Sequence, residues 1–270
     1  MNDMSSPTNE SAWKIRPFAE TLVALRFLTR LPLPFVRTLD LPPLAQAMRF
    51  FPLAGAVIGC ISAALLVATS MLGLPSLLAA TIALAGSVLA TGALHEDGLA
   101  DVADGFGGGA TREQRLEIMR DSRIGAYGTI ALLLTFIAKA AIYETLIGAE
   151  PLTIFLLLAG SAAFSRALVV DLMWATRPAR SDGFSVFAGR PSRHSALFSL
   201  VTGGAGAIIA TSLVISPVAA VISMVAAFLV LVAIRALAMR QIGGQTGDVC
   251  GATQVLTELT MLAVYAAMIG

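Results

Sequence analysis

The sequence predicts an all-α fold, a polytopic bundle of transmembrane helices. Hydrophobic residues make up 57% of the 270-residue chain. Charged residues make up 13%, roughly half the share of an average soluble protein. No Asp, Glu, Lys or Arg occurs from Phe50 to Leu94, nor from Ser195 to Ile234, and each run has room for two spans of about 20 residues. Mean hydropathy is +0.82. These figures exclude intrinsic disorder, which needs low hydrophobicity and high charge. They also exclude an ordinary soluble domain, whose surface carries far more charge. A formal net charge of +1 leaves no global basic field, so nucleic acid is not an expected partner. The lipid bilayer is.

The elements follow in order. Residues 1–10 are polar and are expected to be disordered, ahead of a single integral membrane domain over 11–270. They lack the basic start, apolar stretch and cleavage site of a secretory signal. Residues 11–31 predict an amphipathic helix at the interface. Trp13 and Phe18 sit at headgroup level, with Lys14, Arg16, Arg26 and Arg30 toward water or lipid phosphate. Leu31-Pro32-Leu33-Pro34 ends it. Helices 51–72 and 76–94 flank a turn at Gly73-Leu74-Pro75. Segments 125–147 and 152–174 flank Gly148-Ala149-Glu150-Pro151. The second charge-free run breaks at Ser216-Pro217, and a last helix covers 252–269. This makes seven spans, or six if the last is re-entrant or lies on the surface. The three hairpins look roughly alike, a weak sign of duplication, and no solenoid-type repeat is present.

Basic residues set the expected orientation. Lys14, Arg16, Arg26, Arg30, Arg37 and Arg49 lie in the N-terminal segment. Arg112, Arg115, Arg120 and Arg123 lie in loop 95–124, and Arg177, Arg180, Arg190 and Arg193 in loop 176–194. Arg240 opens the loop before the last helix. The turns at 73–75, 148–151 and 215–217 carry no Lys or Arg. The N-terminus and the three long loops are therefore expected in the cytoplasm. The two cysteines, Cys60 in an apolar run and Cys250 in a polar segment, predict neither a disulfide nor a zinc site.

Chemistry concentrates in the run His95-Glu96-Asp97-Gly98-Leu99-Ala100-Asp101-Val102-Ala103-Asp104-Gly105. Asp97, Asp101 and Asp104 are spaced i, i+4, i+7, which puts them on one helical face. Carboxylates so close repel unless a cation lies between them. Hard oxygen donors at this spacing suit Mg²⁺ shared with substrate phosphate. A solvated acidic turn after a span is the simpler alternative. His95 stands at the edge of the cluster, where it can orient a ligand or substrate.

Gly105 to Thr111 is glycine-rich, which lets backbone N–H groups approach a phosphate. Thr111 and Gln114 have the spacing of a capping box for a short amphipathic helix 111–122. Arg120-Asp121-Ser122-Arg123 then stands at the mouth of the next span. Its arginines suit bidentate phosphate contacts, although part of their charge serves anchoring. Asp121 is either a further metal ligand or the partner of a nearby Arg.

A second polar loop runs from Arg240 to Ala252. Gly244, Gln245, Thr246 and Gly247 can shape a polyphosphate site, and Asp248 is the second metal or base candidate. Lys139, Glu144, Arg166, Asp171, Arg235 and Glu258 lie in or near spans. Burying a charge in lipid costs at least about 2.5 kcal/mol, so they must face the bundle interior, pair or snorkel. Arg166 is expected to reach a polar cavity, with Glu258 as its counter-charge or as a lining residue. Glu144 reads as structural and His194 as interfacial.

These residues resemble one family closely, the cobalamin synthases or adenosylcobinamide-GDP ribazoletransferases. The resemblance is carried by Phe27-Leu28-Thr29-Arg30-Leu31-Pro32, Phe51-Pro52-Leu53-Ala54-Gly55 and His95-x-Asp97-Gly98-Leu99-Ala100-Asp101-x-x-Asp104-Gly105. It continues through Met119-Arg120-Asp121-Ser122-Arg123-x-Gly125, Ser165-Arg166 and Gly243-Gly244-Gln245-Thr246-Gly247-Asp248-x-x-Gly251-Ala252. It spans residues 18–262. Position 96, often apolar in the family, is Glu here and is given no catalytic role.

The resemblance implies a Mg²⁺-dependent integral membrane enzyme of the bacterial inner membrane. It joins adenosylcobinamide-GDP to α-ribazole, or its 5′-phosphate, and releases GMP in the last steps of adenosylcobalamin synthesis. On this reading Asp97, Asp101, Asp104 and Asp248 are the metal and catalytic residues. His95, Arg120, Asp121, Ser122, Arg123, Arg166 and Gly244 to Gly247 contact substrate. Self-association, or association with other enzymes of the pathway, is compatible with it. A CDP-alcohol phosphotransferase shares the start Asp101-x-x-Asp104-Gly105, but its following Ala-Arg is replaced by Gly107-Gly108-Gly109. A transporter would explain the spans but not the motifs gathered at one face.

Overall fold

The computed structural model describes residues 10–33 and 41–269, with side chains from Pro17 onward. Residues 1–9, Pro34, Arg37 and the side chains of Trp13, Lys14 and Arg16 lie outside it, so the expectations placed on them do too. The described chain is helical throughout, with a single isolated bridge between Pro178 and Gln245. Among the described residues, six helices are long and apolar enough to cross a membrane, and a bent pair makes a seventh if it counts as one span.

Helix α1 (Glu10–Leu28) buries Ala19, Leu22, Ala24 and Leu28. It also buries Glu20, whose carboxylate accepts hydrogen bonds from Arg49 (2.5 Å) and Gln46 (3.0 Å). That pair ties α1 to α2 (Leu44–Ala47) and the 3-10 turn Met48–Phe50 that leads into α3 (Phe51–Met71). Phe18 is exposed, as the interfacial reading requires.

Helix α4 (Ser76–Thr91) does not run on to residue 94. Gly92 and Ala93 both adopt positive φ, 67° and 60°, and the chain turns by 91° into α5 (Leu94–Gly108). A left-handed alanine costs about 1–2 kcal/mol, which tertiary packing of α5 must offset. The acidic run, expected at the start of a loop, is thus a helix. The uncertain span is this bent pair rather than the last helix.

Short α6 (Arg112–Ile118) carries the expected Thr111–Gln114 capping box. Spans α7 (Ala126–Leu146) and α8 (Pro151–Ala175) follow the expected boundaries. Loop 176–192 contains a short helix α9 (Phe184–Ala188). Helices α10 (Arg193–Val214) and α11 (Pro217–Ile242) form the third hairpin, capped by Ser192 and Ser216. The polar loop after it is shorter than expected, because α11 runs to Ile242 and α12 (Gly247–Ile269) already starts at Gly247.

Helix α8 is the central post, packed against α3, α10 and α12. It can be central because its neighbours are small where they meet it. Gly55 and Gly59, spaced i, i+4 on α3, lie against the backbone of Ala162 and Leu158. This is the close helix–helix approach that glycine permits in membranes. Large apolar side chains on α7, α10 and α11 point outward, including Leu134, Ile137, Val201, Leu213 and Leu229, as lipid-facing surfaces do.

This packing makes a contrast testable. Gly59→Leu drives a side chain into the α8 backbone and should cost about 1–3 kcal/mol. Gly206 has nothing within 4 Å of an added Cβ, so Gly206→Ala should hold or raise stability. Thermal unfolding in detergent reads both.

Candidate functional site

The site forms where α5 crosses α12. A Cβ on Gly98 would lie 2.8 Å from the Asp248 carbonyl oxygen, and one on Gly251 3.0 Å from the His95 carbonyl oxygen. Two glycines, one on each helix, therefore let the backbones touch. The crossing brings Asp97 and Asp248 to the wall of one cavity of about 120 Å³. Asp101 lies within electrostatic range of Asp248, Asp97 and Asp104.

The carboxylates differ in what holds them. Asp248 accepts a hydrogen bond from the Thr246 hydroxyl at 3.1 Å. The same hydroxyl receives the Val249 N–H (3.3 Å), so Thr246 caps α12 and fixes Asp248 together. Asp97 is exposed toward the polar end of the bundle. Asp104 departs from the expected ligand set. It is buried, and its two oxygens accept the backbone N–H groups of Gly125 (2.7 Å) and Gly128 (2.9 Å). Those are orphan donors at the start of α7, and Asp104 anchors that helix end to α5. The expected four-ligand set is not preassembled: among the described residues no three His, Cys, Asp or Glu side chains form a metal-holding group. Asp97, Asp101 and Asp248 nonetheless present only hard oxygen donors, which suits a divalent cation completed by substrate oxygens.

The rest of the cavity is apolar. Phe27, Leu28, Met48, Phe51, Leu94, Val169, Met173 and Phe184 line it, and His95 forms part of the wall. Phe184 stacks on Phe27 with ring centres 4.8 Å apart and planes within 8°. Phe27 in turn stacks on Phe51 at 5.7 Å.

Loop 244–247 contributes more structure than open phosphate cradle. Gln245 is buried, exchanges backbone hydrogen bonds with Arg177 and Ala179 (2.9 and 2.8 Å), and accepts the Cys250 thiol on its side chain. Gly244 packs on the backbone of Arg177 to Ala179, and Gly247 sits under Phe184. Cys60 and Cys250 are free thiols.

Five arginines at this end donate to carbonyls at or just past helix C-termini, where the last carbonyls lack helical partners and carry partial negative charge. Arg112 donates to Ile242 O (2.9 Å) and Ala179 O (2.5 Å), Arg115 to Gln241 O (3.3 Å) and Arg177 to Gly243 O (3.2 Å). Arg190 and Arg235 do the same for α8 at Trp174 O and Ala175 O.

Arg120 and Arg123, expected at phosphate, lie on the surface beside exposed Ser122. Arg120 pairs with Asp182 (2.5 Å) and Arg123 with Asp121 (2.6 Å). The hydrogen bonds from Arg123 hold the Asp121 carboxyl down to about 2. Sequence reasoning did not single out Arg180. Its Nη2 donates to Leu116 O (2.8 Å), while its buried Nε has no partner. Burial pulls its guanidinium below the ordinary value, and Asp248 and Asp101 oppose this. Arg180 is therefore a cation that faces the acidic pair.

Arg166 does not line the acidic cavity. It lies in an inner one of about 10 Å³, room for a single water, with Glu96, Lys139, Gln254 and Glu258. Lys139 donates to Glu258 (3.0 Å), Gln254 donates to the same oxygen (2.8 Å), and Arg166 is 3.9 Å from Glu258. Glu258 is thus the shared counter-charge of two cations. Glu96 turns into this network, where its Oε2 and the Arg166 Nε are buried without a partner. His194 lines a separate open groove with Arg49 and Arg190.

The family model for cobalamin-5-phosphate synthase matches residues 20–266. Adenosylcobinamide-GDP ribazoletransferase from Azorhizobium caulinodans is 45% identical over 253 residues, covering 92% of this chain and 95% of that one. The protein of the same name from a Sinorhizobium species is 42% identical over 246 residues, covering 90% and 94%. That from Bradyrhizobium diazoefficiens is 41% identical over 249 residues, covering 92% and 94%. No solved structure matches.

The two roles of the carboxylates separate by stability. Asp104→Ala leaves the buried Gly128 N–H and the part-buried Gly125 N–H without their partner and should lower unfolding free energy by about 1–3 kcal/mol. Asp97→Ala should unfold near the parent's midpoint, because its carboxylate is exposed. Thermal unfolding of both variants in one detergent checks this.

Proposed function

This chain belongs to the cobalamin-5-phosphate synthase family, and we propose that it joins adenosylcobinamide-GDP to α-ribazole or α-ribazole 5′-phosphate, releasing GMP. The observation that carries the proposal is the α5–α12 crossing. It sets Asp97 and Asp101 against Asp248 beside a cavity open to an organic substrate. In the reaction a ribose hydroxyl oxygen bonds to the phosphorus on the corrinoid side of the pyrophosphate. The P–O bond to GMP breaks, and GMP leaves with the electron pair. Asp248, fixed by Thr246, receives the hydroxyl proton. Arg180 faces the same carboxylates and supplies positive charge to the phosphate oxygens. His95, buried in the wall, orients the substrate there.

Asp97 and Asp101 are the residues that would hold Mg²⁺, which supplies charge neutralisation at the pyrophosphate and at the departing GMP. Asp104 serves by holding α5 against α7. The orientation proposed puts the polar end, with its arginines, on the cytoplasmic side of the inner membrane, where nucleotide substrates are found. The arginine-free turns at the opposite end support it.

The test is chromatography of GMP and corrinoid after mixing detergent-purified protein with adenosylcobinamide-GDP, α-ribazole and Mg²⁺. Asp97→Asn and Asp248→Asn should each reduce product formation by about 10²-fold or more, with unfolding midpoints near the parent's. Chelation of the metal should abolish turnover. Full turnover in Asp97→Asn would reject the assignment.

A further inference from the structure

The cavity beside Asp97 and Asp248 has a composition that selects its occupant. Among its described lining side chains, polar atoms come only from His95, Asp97, Asp248 and the Cys250 thiol. The other side chains are three phenylalanines, two leucines, two methionines and a valine, together with three glycines. One wall is a ring stack. Phe184, on the short helix α9, lies 37% exposed over Phe27, and Phe27 lies over Phe51. A flat aromatic ring entering here gains apolar burial and ring contact together. Acidic groups stand on the same cavity wall.

Each portion of the two substrates can be weighed against this slot. The corrin macrocycle is far larger than a cavity of about 120 Å³. Guanine carries polar atoms around most of its edge, and those turned toward the leucine, methionine and valine walls would be desolvated without partners. The dimethylbenzimidazole base of α-ribazole has an apolar edge with two methyl groups. Its attached ribose brings a hydroxyl to the carboxylate side.

We propose that the slot between Phe27, Phe51, Leu94, Val169, Met173 and Phe184 is the binding site for the aromatic base of the acceptor nucleoside, with Phe184 as a specificity-determining residue. The corrinoid and guanosine parts of the donor then lie outside the slot, toward Arg180. This inference rests on the transferase reading above. Phe184 is well placed to act, because loop 176–192 is bound to loop 243–246 through the Gln245 hydrogen bonds. Gly247, next to Asp248 in the chain, lies directly against the Phe184 ring.

The experiment uses full-length protein in detergent. Binding of α-ribazole alone is measured by calorimetry, and KM for each substrate by GMP release. Phe184→Ala should weaken α-ribazole binding and raise its KM by about tenfold. The KM for adenosylcobinamide-GDP should stay within about twofold. Phe184→Tyr keeps the ring and should keep both values near the parent's. An effect of Phe184→Ala on the donor KM, or on GMP binding, with acceptor binding unchanged would overturn the inference and assign the slot to guanine. No change in either substrate would overturn it as well. If the parent protein shows no transfer while still binding α-ribazole, the transferase reading fails instead. Val169→Phe adds bulk to the slot from α8 and leaves the sequence of α9 unchanged. It should weaken α-ribazole binding in the same direction, and unchanged binding in this variant would contradict the proposal.

Discussion

The rest of the site depends on the backbone contact between α5 and α12. Asp97 and Asp101 are separated from Asp248 by most of the chain, and only this crossing brings them to one place. It exists because Gly98 and Gly251 leave room for the opposing backbone. The same contact makes a helix of the acidic run, whose glycines and aspartates have poor intrinsic helix propensity. Asp104 completes the seating. Through Gly125 and Gly128 it fastens the far half of α5 to α7.

Charge is handled differently at the two depths of the molecule. At the polar end, arginines spend their hydrogen bonds on the carbonyl ends of α8 and α11, closing helices and loops over the bundle. Deeper in, Lys139, Arg166, Glu96 and Glu258 balance one another, and Gln254 and Ser165 supply neutral hydrogen bonds. A buried charge without a partner is costly, and these two cations and two anions form a charge-balanced floor. His95 and Asp97 flank Glu96, and Glu96 is the one residue of the acidic run that reaches into the floor. The acidic run is thus joined through Glu96 to the inner charged cavity.

Much of this was legible in the sequence. Gly73-Leu74-Pro75, Gly148 to Pro151 and Ser216-Pro217 interrupt apolar runs, and each proved to be a hairpin turn. The i, i+4, i+7 spacing of Asp97, Asp101 and Asp104 described a real helical face. What stayed hidden depends on contacts distant in sequence. Nothing local shows that Asp104 is bound by N–H groups of residues 125 and 128, or that Lys139 stands closer to Glu258 than Arg166 does. The 91° bend rests on a left-handed Ala93, a residue type that gives no such signal. Arg180 looks like any loop arginine until loop 176–192 folds back over Asp248. The pairing of Arg120 is equally hidden, because its partner Asp182 lies 62 residues away in sequence, whereas Arg123 pairs with neighbouring Asp121.

The central claim is that catalysis requires the carboxylates of α5 and α12 to be held together by a glycine-permitted contact. The most direct measurement is the transfer rate of Gly98→Ala, taken with its unfolding midpoint. One methyl group there must push Asp248 and its backbone away from α5 by a fraction of an ångström. A displacement of that order at reacting groups costs up to about 10²-fold in rate. The account predicts a folded protein whose GMP release falls by at least about tenfold. A folded Gly98→Ala protein turning over at the parent rate would contradict it.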